Sequence, residues 1–182
     1  MKKGELHIVL TDHLTFQGIP LDGNMDTFVY QLEKKGYSFV SDGDHVCLYE
    51  GKFANTDVSI LVLTTPLSGL VHSVFVQMKE KTWNSAKATY YKFKDLLTRK
   101  YGNIIEEIEQ FYDPYYDGDG YELTAIQNGC CVYSTHFKVQ HGVIGVMISS
   151  NDEFDGVIMS YRDDKNSRIN DGEDDQIAFD DI

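Results

Sequence analysis

The sequence predicts an α+β protein: two tandem helix-plus-antiparallel-meander units, mostly antiparallel sheet with two main helices packed on it. Three observations carry this expectation. Two stretches have apolar residues at helical spacing, each is followed by a run of strand-like segments, and those segments are joined by turns too short for crossover helices.

The first helix is read from NMDTFVYQLEKKGY. Met25, Phe28, Val29 and Leu32 fall at i, i+3, i+4 and i+7, so one face is apolar. Asn24 is a suitable N-cap, and Gly36 follows Lys34 and Lys35 as a stop. Strands are expected next in VCLYEGKFA (46–54), DVSILVLTT (57–65) and LVHSVFVQM (70–78). The second helix is TWNSAKATYYKFKDLLTRKYG, with a seam of Trp83, Ala86, Tyr90, Phe93 and Leu97, again ending in basic residues and Gly102. Its strands are CVYSTHFKV (131–139), VIGVMISS (143–150) and GVIMSYR (156–162). Asn55-Thr56 and Gln140-His141-Gly142 are hairpin-sized links.

The halves resemble each other. Phe28, Leu32 and Lys35 have the mutual spacing of Phe93, Leu97 and Lys100, and Val46, Ile60 and Val71 recur as Val132, Val146 and Val157 at one constant offset. The second half carries extra residues between helix and strands. The expected division is a first repeat over 12–80, a second over 81–165 with an insertion at 103–128, and an acidic, partly ordered C-terminal tail over 166–182.

With 182 residues, 42% hydrophobic and 13% aromatic, the chain is long enough for a real core. Three prolines against twelve tyrosines suit uninterrupted strands. Sixteen basic against 29 acidic residues give a net charge of −13. That excludes nucleic acid, whose phosphates need neutralising, and anionic membrane surfaces as expected partners. No apolar run is long enough to span a bilayer, so no membrane insertion is expected. The start, MKKGELHIVLTDHL, has lysines but no apolar leader region, which reads as cytoplasmic, or as periplasmic or envelope if a leader was removed. Three cysteines cannot form a disulfide framework.

The stretch DPYYDGDGYE (113–122) is the most unusual. As a calcium loop counted from Asp113 it supplies Asp117 and Gly118 at the fifth and sixth positions, but Tyr115 and Thr124 stand where the third and twelfth ligands belong. Asp-Gly recurs at 22–23, 42–43, 155–156 and 171–172, so a reversal is the better reading. A binding lip is the other: Phe111, Tyr112, Tyr115, Tyr116 and Tyr121 surround an acidic tip of Asp117 and Asp119, and tyrosines give contact area at low entropic cost. The six histidines (7, 13, 45, 72, 136 and 141) form no HxH or HExxH and have no zinc-spaced cysteines. His136 and His141, on opposite arms of an expected hairpin, are placed to approach each other. There is no GxSxG and no glycine-rich loop opening a helix. No catalytic, metal or cofactor-binding residue is assigned, and no cofactor is expected.

The run FQGIPLDGNMDTFVYQLEKKGY (16–37), with EGKFA, TW…Y…FKDLLTRKYG and the closing YRDDKNSRIN…DDI, resembles a family of uncharacterised proteins from Bacteroides-type gut bacteria with the opening F-K/Q-G-I-P-I/L-D-G. The resemblance spans most of the chain and implies no activity. Many members carry a secretion or lipoprotein leader, from which this chain departs. The tandem layout is also similar to that of β-lactamase-inhibitory proteins, which is an analogy of fold and does not settle function. The expected role is a non-enzymatic protein-binding, inhibitor- or immunity-like module with a basic protein partner, using the sheet's exposed face or the lip. The alternatives are a small hydrolase with dispersed loop residues, such as His136 with nearby carboxylates, or a structural domain of an envelope assembly.

Overall fold

The computed structural model describes residues 11–182. The first ten residues, including His7 and most of the lysine-bearing start, lie outside the described residues. The chain is α+β, with one large antiparallel sheet. A small ribbon, β1 (Thr15–Phe16) and β2 (Ile19–Pro20), precedes α1 (Met25–Lys34). Then come β3 (Ser38–Gly43), β4 (Val46–Phe53), β5 (Thr56–Thr64) and β6 (Val71–Lys79). Helix α2 (Trp83–Tyr101) leads into β7 (Ile104–Phe111), the short α3 (Glu122–Gln127), β8 (Cys131–Val139), β9 (Gly142–Ser150), β10 (Asp155–Asp163) and α4 (Asp164–Asp180). The eight-stranded sheet has the order β3-β4-β5-β6-β10-β9-β8-β7, so the last strands of the two meanders pair at its centre.

The two expected helices form for the expected reasons. Asn24 caps α1 by accepting from the Thr27 amide, and Gly36 follows the helix at φ 92. In α2, Thr82 and Ser85 make a reciprocal capping box, Gly102 closes the helix in the left-handed region, and Trp83, Ala86, Tyr90, Phe93 and Leu97 are the buried seam. Both helices cover the same face of the sheet. Tyr49 donates to Glu33 of α1, and Tyr90 shares a 2.7 Å hydrogen bond with Thr135. Under them lie alternate residues of the central strands, Ile60 and Val62, Val76 and Met78, Ile144 and Val146, Val157 and Met159, all fully or almost fully buried.

Among the longer elements, three differ from expectation. β3 and β7 are strands where the sequence predicts none, β7 falling within the insertion at 103–128; both are sheet edges. β7 turns Glu107 and Glu109 toward α2, where Lys94 reaches both at 2.9 and 2.5 Å and Tyr90 and Tyr91 donate to Glu109. Inward carboxylates remove the apolar alternation that marks a strand. The insertion thereby narrows to the segment between β7 and β8. The C-terminal tail is not loose: it is the helix α4. Asp163, fully buried, caps it by accepting from the amides of Lys165 and Asn166, and also accepts from the Leu14 amide at 2.7 Å. Buried Asn166 donates to the carbonyls of Leu21 and Val71. Asp171-Gly172 therefore lies inside a helix and Asp155-Gly156 opens β10, so not every Asp-Gly step is a reversal.

Candidate interaction surface

The insertion is an ordered loop on the helix side of the sheet. Phe111 packs edge-on against Trp83 with centroids 5.6 Å apart. Asp117 accepts from the Trp83 indole at 2.8 Å and from Lys87 at 2.5 Å; hydrogen bonds from Lys87 and then from Trp83 hold its carboxyl below the usual aspartate range. Asp119 accepts from the amides of Tyr116 and Tyr121, while Gly118 and Gly120 take φ of 91 and 81, as tight reversals require. Tyr115 is half-buried, its hydroxyl accepting from Asn128. Three lip residues point outward: Tyr112, Tyr116 and Tyr121 are 44%, 64% and 63% exposed. Among the described residues no cluster of three His, Cys, Asp or Glu side chains is arranged to hold a metal.

The other face of the sheet is where the two sides of the molecule differ most. Sheet pairing places Ile108, Ser134, Met147, Ile158, Gln77 and Ser59 in one row across it. The next row runs Glu106, His136, Gly145, Ser160, Phe75, Leu61 and Leu48. Directly paired residues share a face, so both rows point away from α1 and α2. The apolar members Leu48, Leu61, Phe75, Met147 and Ile158 are half-buried, in contrast to their fully buried neighbours under the helices. Among the described residues the only helix crossing this face is α4, packed on β6 and β10.

α4 divides the face into two grooves. The smaller, roughly 290 Å³, carries His136, Val143, Arg162, Ser167 and Arg168. The larger, roughly 630 Å³, has an apolar floor of Val46, Leu61, Leu63, Phe75 and Ile158, with Asp44 and His45 of the β3–β4 turn on one side and Asn170 and Asp174 of α4, beside His72 of β6, on the other. A register shift where Thr64 pairs with Val71 and Leu63 with Ser73 turns His72 into this groove. Burial, and then Arg162, hold His72 below the usual imidazole value, against the opposing pull of Asp174 and Asp171. The Glu173 carboxylate accepts from the amides of Leu67 and Ser68, fastening α4 to the turn before β6; the hydrogen bonding lowers its pKa.

His136 is brought to Glu106, not to His141. Its Nδ1 lies 3.2 Å from a Glu106 oxygen, out of line for a hydrogen bond. Across the row, Gly145 lets its neighbours close over it: a Cβ there would sit 2.7 Å from the Ser160 hydroxyl and 3.1 Å from His136 Nε2. Carboxylate, imidazole and hydroxyl thus share one row, yet no hydrogen bond links His136 to Ser160 among the described residues. The amides of these inner strands serve the sheet ladder, which leaves no pair of free N–H groups to hold an oxyanion.

The open face escaped sequence reading because β5 is apolar on both sides: Val58, Ile60 and Val62 lie under the helices and Leu61 and Leu63 face outward. Among the described residues no helix is long and apolar enough to cross a membrane. No family model, no curated protein and no solved structure matches this chain.

Proposed function

We propose that the chain is a non-enzymatic protein-binding module whose open sheet face is the contact surface, and that the protein it binds is basic where it meets β4–β6 and α4. The observation that carries this is the asymmetry of the sheet. One face is sealed by α1 and α2, while the other presents half-buried Leu48, Leu61, Phe75, Met147 and Ile158, with α4 the only helix across it among the described residues. A rigid antiparallel sheet holds such a surface in place without ordering cost on binding. The net charge of −13 favours encounter with a cationic protein, most strongly at low salt.

The reading of two tandem units belongs with this proposal. It is supported by the order helix-then-four-strands occurring twice, and by Val46, Ile60 and Val71 occupying the same strands of their meander as Val132, Val146 and Val157, with the same exposure in each pair. Side-by-side units make one wide face from two narrow ones.

Capture from native lysate tests the proposal, using the wild-type chain, a face variant, Leu48→Lys, and a lip variant in which Tyr112, Tyr116 and Tyr121 become serine. The three tyrosines are exposed and Leu48 is half-buried on the open face, so thermal melting checks that each variant keeps the fold. Capture lost in Leu48→Lys and kept in the lip variant supports the face. The reverse pattern transfers the role to the lip.

A further inference from the structure

We propose that the larger groove is the seat for one lysine or arginine side chain of the bound protein, its aliphatic stem on the apolar floor and its charge between Asp44 and Asp174. This rests on the open-face reading above and adds the chemistry of the anchor that face would take.

The floor and the walls ask for different things, and only an amphipathic cation meets both. Leu61, Leu63, Phe75 and Ile158 offer apolar contact from neighbouring strands. An aliphatic side chain would satisfy them, but it would leave two carboxylates beside it without a counter-charge. Neither Asp44 nor Asp174 forms an ion pair with another described residue. An anion would be repelled from both walls. Lysine and arginine carry a hydrocarbon stem below a charged head, which is the sequence of surfaces the groove presents from floor to rim.

The walls are also fixed in advance. Asp174 accepts from Asn170 one turn earlier, which orients its carboxylate. Glu173 ties the same stretch of α4 to the Leu67 and Ser68 amides. On the opposite side the His45 carbonyl accepts from the Thr64 amide, holding the turn that carries Asp44. Of the two imidazoles lining the groove, His45 and His72, the latter shares a hydrogen bond with Ser73, and its burial disfavours a competing positive charge there. The nearby Arg162 lines the smaller groove instead.

The test uses methyl-labelled full-length chain and three probes: Nα-acetyl-arginine methylamide, its uncharged citrulline counterpart, and the norleucine counterpart. The arginine probe should shift the methyl signals of Leu61, Leu63 and Ile158 saturably. The two uncharged probes should bind about fivefold more weakly, the scale of one or two partly exposed ion pairs. In Asp44→Asn/Asp174→Asn that preference should vanish. Equal binding of all three probes, shifts confined to other methyls, or an unchanged preference in the double variant would each overturn the proposal. The same double variant, run beside Leu48→Lys in the capture experiment, separates the two claims. Capture lost in Leu48→Lys but kept in the double variant leaves the face standing and rejects the anchor; capture kept in both rejects the face itself. Loss in both, with the arginine preference present, supports both.

Discussion

Replacing Asp163 by alanine should be among the most damaging single changes, because this carboxylate joins three parts of the chain. It is fully buried and accepts from the Leu14 amide at 2.7 Å, from the Lys165 amide at 3.0 Å and from the Asn166 amide at 2.9 Å, with His13 Nδ1 3.1 Å away. Losing the N-cap costs about 1 kcal/mol. Leaving the Leu14 amide unpaired in the interior costs about 2 kcal/mol more. The expected loss is therefore about 3 kcal/mol, which for a chain of this size lowers the melting temperature by roughly 6–12 °C. Asp163→Asn keeps a good capping oxygen and should lose about half as much. Urea denaturation of the two variants and the wild type gives the ordering, and amide exchange locates it: amides in the first turns of α4 should lose protection before those of β9. A loss below about 1 kcal/mol for the alanine variant, or equal losses for both variants, would refute the account of Asp163 as cap and tie together.

Gly156→Ala should cost about 3 kcal/mol, since φ there is 153 and an added Cβ would collide with the Met78 carbonyl oxygen across the central strand pair; a urea midpoint close to wild type would contradict it. Glu109→Leu should destabilise by about 2–3 kcal/mol and Glu109→Gln by about 1 kcal/mol, because glutamine can still accept from Tyr90 and Tyr91 while Lys94 retains Glu107; chemical denaturation of the pair reads the difference. Burial pushes the Glu109 carboxyl up, but hydrogen bonds from Lys94 and Tyr91 outweigh it and leave it below the usual glutamate value. Its contribution should thus be complete above the unfolded-state pKa and fade as pH falls through the lower native one, a fading that Glu109→Gln lacks in a pH series of urea midpoints. His72 is shifted in the same direction as Glu109. Burial and then Arg162 hold its native pKa below the unfolded value, so the unfolded chain takes up the proton first. Stability should fall as pH drops below about 6.5, and His72→Gln should flatten that part of the profile.

What the sequence disclosed follows how each element is stabilised. α1 and α2 bury a stripe against the sheet, so periodicity and caps revealed them down to the individual seam residues. α4 has no such stripe. It is held by Asp163, Asn166 and Glu173, single polar ties to distant backbone groups that leave no periodic mark, and its charges read as a solvated tail. β3 and β7 were missed because edge strands carry exposed or inward-turned polar residues in place of alternation. The aromatic stretch at 111–121 drew notice from its composition, yet Phe111, Asp117 and Asp119 are engaged with neighbouring structure, leaving three exposed tyrosines. The groove had no local signature, since Asp44 and Asp174 are far apart in the chain.

The pairing of β6 with β10 at the middle of the sheet has a consequence for synthesis. The ladder from Ser73↔Arg162 to Lys79↔Gly156 joins strands made far apart in time. Until the ribosome has delivered β10, β6 is a bare edge rich in valine, with Val74 and Val76 destined for the core. Two complete but loosened chains could satisfy that edge reciprocally, each lending its β10 to the other's β6. The centre of the sheet is thus the place where exchange between copies would begin.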